Sequence, residues 1–165
     1  MHIVIAGKNK CAIEAHKYLR NKYPKHEIIG VGNKDDHYKE DDWQPSYRKY
    51  LLDHKFWEYR LEDCYDLEDM LFFSVEFDKI IKTENFKSKK LFNLHFSLLP
   101  KYRGCHTNFV QLYNGEKYSG VTLHEIDNSI DGGPIISQMK FKIRRNATAQ
   151  ENYVRLMNTA VKLFK

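Results

Sequence analysis

The chain has 165 residues, enough for one compact domain with its own core and too few for two ordinary ones. It is 42% hydrophobic and 30% charged, which excludes a disordered chain, and its apolar runs are too short for a membrane-spanning helix. The formal net charge is +5, but the basic residues are dispersed, whereas a nucleic-acid surface needs a concentrated basic face. We therefore expect a globular protein that binds neither membranes nor nucleic acid.

The N-terminus and the cysteines predict the compartment. The sequence enters the apolar stretch HIVIA at once, with no basic region and no small-residue cleavage site, so no signal peptide and a cytoplasmic location are expected. Cys11, Cys64 and Cys105 are widely spaced and odd in number, which predicts reduced thiols. His95, Cys105 and His106 lack the spacing of a metal cluster, so no metal site is predicted.

The first half of the chain predicts alternating strands and helices. Strands are predicted over residues 2–6 and 27–31, with an amphipathic helix between them whose apolar stripe begins at Cys11. This spacing is typical of a parallel βαβ unit. A helix is predicted to start near Ser46, followed by strands over 57–61 and 70–75.

The second half predicts the rest of an α/β fold. We expect a strand over 91–95, a helix over 109–113, and strands over 119–126 and 134–143 that are joined by the loop DNSIDGG. The last helix begins at a capping box of Thr148 and Glu151, and its apolar face reaches Phe164. The predicted fold class is α/β and Rossmann-like, a mostly parallel twisted sheet with helices on both faces.

The sequence predicts the surroundings of two histidines and two tryptophans. His16 and His54 fall on predicted helices and are expected at the surface. Trp43 and Trp57 are expected to anchor the core or a loop, although Trp43, in a long loop, could also stack on a base.

Polar residues gather where predicted strands end, which is where ligands bind in open α/β sheets. Asn93 and His95 are two apart on one strand, so their side chains point to the same side. Asp131 lies in the loop between the last two strands, and two glycines that allow an unusual backbone path follow it.

An Asn, a His and an Asp together suit acyl transfer. The Asn93 amide would donate to the oxyanion that forms when an amine attacks a carbonyl. His95 would move a proton, and the Asp131 carboxylate would orient it and raise its pKa. The alternative is that Asn93 and His95 only cap the strand end.

Two other enzyme classes fit poorly. The turn after the first strand reads GKNKCA and has a single glycine, whereas a dinucleotide site needs G-x-G-x-x-G. Ser97 lacks the G-x-S-x-G context of a serine hydrolase.

Two long motifs carry a family resemblance. The stretches NLHFSLLPKYRG (93–104) and SGVTLHEIDNSIDGGPII (119–136) resemble the formyltransferases that use 10-formyltetrahydrofolate, whose signature is N-x-H-x-S-L-L-P, Y/W-R-G, and G-V-T with an I-D-x-x-x-D-x-G loop. The likeness runs from residue 1 to the last helix. It implies a formyltransferase fold, 10-formyltetrahydrofolate as co-substrate, and Asn93, His95 and Asp131 as the catalytic residues.

The resemblance also implies two sets of binding residues. Those for the folate are Lys79, Ile81, Leu98, Asp127 and Gly132. Those for the acceptor are Lys8, Asn9, Trp43, Glu76 and Arg103, with a cation expected to meet a pyrophosphate.

The acceptor follows from the branch of the family. The stretches GKNKCAIEAHKYL, WQPS and MLFFSVEFDKIIK look most like sugar N-formyltransferases, which act on nucleotide-linked amino sugars such as dTDP-4-amino-4,6-dideoxyglucose, in lipopolysaccharide O-antigen biosynthesis. Methionyl-tRNA formyltransferases add a C-terminal β-barrel, and glycinamide ribonucleotide formyltransferases have a Gly/Ser-rich phosphate loop. Both stay open as alternatives, as does a truncated, non-catalytic folate- or nucleotide-binding module.

The chain is shorter than the family members that it resembles. We expect a single catalytic domain over residues 1–165 that lacks the family's C-terminal extension. The apolar face of the last helix would then need a partner, and a homodimer is one candidate.

Overall fold

The computed structural model describes residues 1–36 and 43–165, which group into two compact units, Met1–Phe92 and Asn93–Lys165. The first unit contains the strands β1 (His2–Gly7), β2 (Glu27–Gly32) and β3 (Met70–Val75) and the helices α1 (Asn9–Lys22) and α2 (Tyr47–Asp53). Short 3₁₀ helices span Leu61–Cys64 and Thr83–Asn85. Apart from the predicted strand over 57–61, the elements predicted for this part are confirmed.

Parallel pairing organises the first unit. β1 lies between β2 and β3, and Ile3 is in register with Ile28 on one side and Leu71 on the other. Residues 3–7 of β1 are all buried, because a central strand of a covered parallel sheet packs on both faces. The predicted βαβ unit is therefore confirmed, and the carboxyl ends of β1 and β3 lie side by side.

The strand predicted over 57–61 is wrong. Among the described residues a single bridge forms there, between Glu58 and Gly30, and the Tyr59 N–H donates to the Gly30 carbonyl at 2.9 Å. Trp57 is 83% exposed, so this tryptophan anchors no core, and of the five predicted residues Leu61 alone is buried. The chain then turns into the 3₁₀ helix Leu61–Cys64, which ends any extended pairing.

The expectation for His16 is also wrong. Its side chain is fully buried in the first unit, its Nδ1 lies 2.8 Å from the Tyr47 hydroxyl, and its ring stacks on Phe56 at 5.1 Å. The aromatic partners come from α2 and from the segment after it, which a helical periodicity cannot show. His54 is exposed, as predicted.

The second unit contains the elements that follow Phe92. They are the strand β4 (Leu91–His95), whose last three residues lie in this unit, α3 (Thr107–Tyr113), β5 (Tyr118–Glu125), β6 (Ile135–Lys142) and α4 (Ala149–Phe164). The strand order here is β4-β5-β6, and β5 and β6 run antiparallel with Val121 opposite Met139. Each of these elements was predicted, and each is confirmed within a few residues.

The capping box of α4 is present. The Thr148 hydroxyl accepts the Glu151 N–H at 3.1 Å, and the Glu151 carboxylate accepts the Thr148 N–H at 2.8 Å. Leu156, Met157 and Ala160 are buried on the side of α4 that packs on β5. Burying a side chain of the size of Leu or Met contributes about 1.5–3 kcal/mol, so this face holds the helix on the sheet. No helix in the described ranges is both long enough and apolar enough to cross a membrane.

Candidate active site

Asp131 brings Asn93 and His95 together. The Asn93 amide donates to Asp131 Oδ1 at 3.1 Å, and His95 Nδ1 lies 3.4 Å from Asp131 Oδ2. Asn93 and His95 therefore face the same side of β4, as the alternation of a strand predicts. The three residues that the two motifs singled out form one contiguous cluster within the second unit.

The backbone of the loop aims the Asp131 carboxylate. Asp131 itself has φ 48°, in the left-handed region, and the Gly104 N–H donates to its Oδ2 at 2.8 Å. The following glycines serve a close approach, because a Cβ on Gly133 would lie 2.0 Å from the Glu125 carbonyl oxygen and one on Gly132 would lie 2.1 Å from Ser129 Oγ. The unusual backbone conformation was predicted for the two glycines, but it is Asp131 that adopts the left-handed φ.

Asp131 is ionised under ordinary conditions. Burial raises its pKa, but the polar groups around its two oxygens, which are the neighbouring histidines and the Gly104 N–H, outweigh burial and hold the pKa below its usual range. A permanent carboxylate can orient an amide N–H and stabilise a neighbouring imidazolium.

His95 has two different nitrogen environments. Its Nε2 lies 2.7 Å from the Tyr102 carbonyl, which can only accept, so Nε2 carries hydrogen. Nδ1 faces Asp131, so a proton that His95 takes up enters there. Burial lowers the pKa of His95, and this outweighs Asp131 and the Tyr102 carbonyl, which raise it. Asp131 raises the pKa of His95, as predicted, but the side chain is only 7% exposed and its burial makes the net shift downward.

His124 is a fourth member of the cluster. It lies on β5, is 2% exposed, and places its Nε2 3.1 Å from Asn93 Nδ2 and 3.6 Å from Asp131 Oδ1. Sequence reasoning quoted the motif that contains His124 but gave it no role. The available signal was its position two residues after Thr122, which places both polar side chains on the same face of β5.

The other predicted residues of the second unit lie around this loop. The Asp127 carboxylate accepts the Ser129 N–H at 2.8 Å, and bonds from Ser129 are the main reason that its pKa is lowered. Leu98 is half-buried and reaches over Gly120, where an added Cβ would lie 2.6 Å from its Cδ2. Arg103 is exposed, with its Nη1 3.4 Å from where a Cβ on Gly132 would be.

The residues predicted for the acceptor in the first unit gather at the ends of β1 and β3. The Lys8 N–H donates to the Val75 carbonyl at 3.3 Å, next to Glu76, which has φ 60°. Asn9 is buried, and its side chain accepts the Cys11 N–H at 2.9 Å and donates to Gln44 at 3.3 Å. Trp43 adjoins Gln44 and is 50% exposed, so part of this residue can still meet a ligand.

The two folate residues predicted after β3 differ in environment. Ile81 is 8% exposed, whereas the Lys79 ammonium is largely exposed and lies 3.4 Å from Glu62. An ion pair of this kind contributes little to stability and leaves the ammonium able to change partner.

The chain belongs to the formyl transferase family, whose model matches residues 1–165. Among solved structures it is similar to a sugar 3N-formyl transferase determined in the presence of dTDP and 5-N-formyl-THF, with 43% identity, a TM-score of 0.94, and coverage of 99% of this chain and 60% of that one. It is also similar to an N-formyltransferase from Helicobacter canadensis in complex with folinic acid and dTDP-3-aminofucose, with 42% identity, a TM-score of 0.93, and coverage of 98% and 60%. These matches confirm the predicted fold class.

A curated relative matches over a shorter stretch. The bifunctional polymyxin resistance protein ArnA of Wigglesworthia glossinidia brevipalpis is 38% identical over 133 residues, which are 74% of this chain and 20% of that protein. The chain thus spans about three fifths of the two solved sugar formyltransferase chains and one fifth of this relative.

Proposed function

We propose that this chain transfers a formyl group from 10-formyltetrahydrofolate to the primary amine of a dTDP-linked amino sugar, at the third carbon. The family match over the whole chain supports the reaction class. The two similar solved structures support the acceptor, since one is a sugar 3N-formyl transferase with dTDP and the other holds dTDP-3-aminofucose. These two acceptors favour a 3-amino sugar over dTDP-4-amino-4,6-dideoxyglucose, the example given from the sequence.

The observation that carries the proposal is the Asp131 carboxylate holding both Asn93 and His95. The neutral amine attacks the formyl carbon, a C–N bond forms, and the carbonyl oxygen becomes an oxyanion. His95, kept neutral by burial, takes the amine proton at Nδ1, where Asp131 stabilises the imidazolium. Collapse of the oxyanion breaks the bond to the folate nitrogen, which leaves with that proton.

Asn93 supplies the donor for the oxyanion. Removing one such donor costs about a hundredfold or more in turnover, so Asn93→Ala is expected to lose at least that much. In the structure its Nδ2 already contacts two acceptors, Asp131 Oδ1 and His124 Nε2, both at 3.1 Å. One of these contacts has to yield when the oxyanion forms.

The binding residues keep the roles that the resemblance implies. Within the first unit, the backbone around Lys79 and Ile81 would hold the pterin, and Lys8 at the end of β1 offers a cation to a pyrophosphate. Lys8 Nζ lies 3.4 Å from Asp35, a distance at which the pair is weak and an incoming phosphate can compete. We therefore expect Lys8→Met to raise KM for the nucleotide sugar and to leave KM for the folate unchanged.

Two alternative acceptors are less well supported. Methionyl-tRNA formyltransferase from Kosmotoga olearia is 39% identical, but over 80 residues only. Phosphoribosylglycinamide formyltransferase from Bacillus halodurans shares the fold, with a TM-score of 0.78 at 16% identity. The two sugar enzymes match nearly the whole chain at 42–43% identity, so their acceptor class is the one we propose.

Mass spectrometry of formylated products tests the proposal. The protein is incubated with 10-formyltetrahydrofolate and, separately, dTDP-3-amino sugars, dTDP-4-amino sugars, glycinamide ribonucleotide and methionyl-tRNA. Asp131→Asn is the inactive variant, since asparagine tolerates the left-handed backbone at this position, and Asp66→Asn changes an exposed carboxylate as the control. The proposal is supported if a formylated 3-amino sugar forms with the wild type and with Asp66→Asn but not with Asp131→Asn. It is refuted if formylated product forms only with one of the other acceptors.

A further inference from the structure

His124 is the buried histidine of the cluster that the proposed reaction does not use. Its side chain is 2% exposed and has polar neighbours at both ring nitrogens. Nδ1 lies 2.7 Å from the Glu125 carbonyl oxygen, and Nε2 lies 3.1 Å from Asn93 Nδ2. The distance from Nε2 to Asp131 Oδ1 is 3.6 Å, which is too long for a hydrogen bond.

These partners determine which nitrogen of His124 carries hydrogen. A backbone carbonyl can only accept, so Nδ1 is the protonated nitrogen and donates to Glu125. An amide NH₂ can only donate, so Nε2 must offer its lone pair to Asn93. His124 is therefore a neutral imidazole in its Nδ1–H form, and a hydrogen on Nε2 would point at the hydrogens of Asn93.

The same logic determines how the Asn93 amide is oriented. If its nitrogen and oxygen were exchanged, the amide oxygen would face the Asp131 carboxylate at 3.1 Å, acceptor against acceptor. Asp131 and His124 thus each take one hydrogen of the Asn93 NH₂ group. Of the two bonds, that to Asp131 is charge-assisted and that to His124 is neutral.

We propose that His124 is a positioning residue that holds one hydrogen of the Asn93 amide throughout formyl transfer, so that the other is aimed at the oxyanion. This inference rests on the function proposed above. As His95 takes up the amine proton at Nδ1, Asp131 gains an imidazolium partner and releases the N–H that it holds at rest. The whole amide then tilts about its bond to His124, which brings the released N–H to the oxyanion.

A matched pair of variants separates the two contacts of the ring. His124→Gln can place a carbonyl oxygen near the position of Nε2 and keep an acceptor for Asn93. His124→Asn can keep the bond to the Glu125 carbonyl but cannot reach Asn93. We expect kcat to fall about tenfold in His124→Asn, the scale of one lost hydrogen bond, and no more than about threefold in His124→Gln, with KM for both substrates unchanged.

The effect must also depend on Asn93. In an Asn93→Ala background, His124→Asn is expected to lower kcat no further, because the amide that it positions is absent. A residue with a purely structural role would lower kcat by the same factor in both backgrounds. Equal losses in the Gln and Asn variants, or an undiminished loss in the Asn93→Ala background, would overturn the proposal.

A measurement without substrate separates this inference from the proposed function. Nitrogen-15 NMR of the histidine rings in the unmodified protein reports which nitrogen is protonated. We expect His124 to show a protonated Nδ1 and an unprotonated Nε2 near neutral pH, whatever the acceptor sugar proves to be. A protonated Nε2 would refute the positioning role of His124 even if the enzyme is active. If the spectrum is as expected but the protein formylates no sugar, the proposed function alone is refuted.

Discussion

Acidification is expected to destabilise the protein through His16, because this ring cannot take up a proton in place. Its side chain is fully buried among aromatic rings, with Tyr47 at Nδ1 and Phe56 stacked on its face. Nε2 is buried and has no hydrogen-bond partner among the described residues. Burial, aided by the nearby positive charge of Arg20, lowers the pKa of His16 from 6.5 to about 3.

The sign and size of this pH effect on the free energy of unfolding follow from the difference between the folded and unfolded pKa of His16. Because the pKa is lower in the folded protein, the stabilisation is present above the unfolded value of 6.5 and is lost as the pH falls towards about 3. With these two values, protonation of the unfolded chain lowers the free energy of unfolding by about 2 kcal/mol between pH 7 and pH 5 and by about 3 kcal/mol at pH 4.

Urea unfolding followed by circular dichroism at several pH values measures this loss. The variant His16→Phe keeps a ring on Phe56 but cannot titrate, so its free energy of unfolding should depend less on pH than that of the wild type, by about 2 kcal/mol between pH 7 and pH 5. His54→Gln removes an exposed histidine at the rim of the same aromatic cluster and should keep most of the wild-type dependence. Parallel pH curves for wild type and His16→Phe would refute the reasoning.

Three further predictions concern packing, capping and thiol access. Gly7→Ala would place a Cβ 1.8 Å from the Val75 carbonyl oxygen, so we expect a loss of about 2–3 kcal/mol in urea unfolding, and a wild-type midpoint would disprove this close approach. Thr148→Ala should cost about 1 kcal/mol by removing a helix cap, and Thr148→Ser should restore most of it, whereas equal midpoints for both would mean that the cap contributes nothing. Iodoacetamide at pH 8 should label the exposed Cys105 of the folded protein and spare Cys64, because burial raises the pKa of the Cys64 thiol to about 12. Peptide mass spectrometry measures the labelling, and early label on Cys64 would contradict this expectation.

The elements and the central cluster could be predicted because they depend on local patterns. Strand alternation is enough to place Asn93 and His95 on one side, and the spacing of two long motifs brings in Asp131. The strand over 57–61 was predicted from its apolar and aromatic residues, but a strand needs a partner along its length, and in the described part of the chain this segment pairs at one bridge and leaves Trp57 83% exposed. Pattern alone does not reveal such a missing partner.

The properties of single side chains that the sequence does not predict share a cause. His16 is buried by residues that lie about thirty or more positions away, and His124 meets Asn93 across 31 positions. The pKa of His95 depends on how completely its ring is buried as much as on the carboxylate beside it. Each of these properties is set by tertiary packing, which a single sequence without a structure does not specify.

Asp131 sits at φ 48°, a conformation that costs a residue with a Cβ about 1–2 kcal/mol relative to its preferred regions. Glycine would adopt that backbone without strain but would remove the carboxylate that joins Asn93 to His95. That loss would also leave the N–H groups of Asn93 and Gly104 without the oxygens that accept them, at a cost of about 1–3 kcal/mol for each buried group. The hydrogen bonds that gather the cluster therefore also offset the strain of the backbone that carries it.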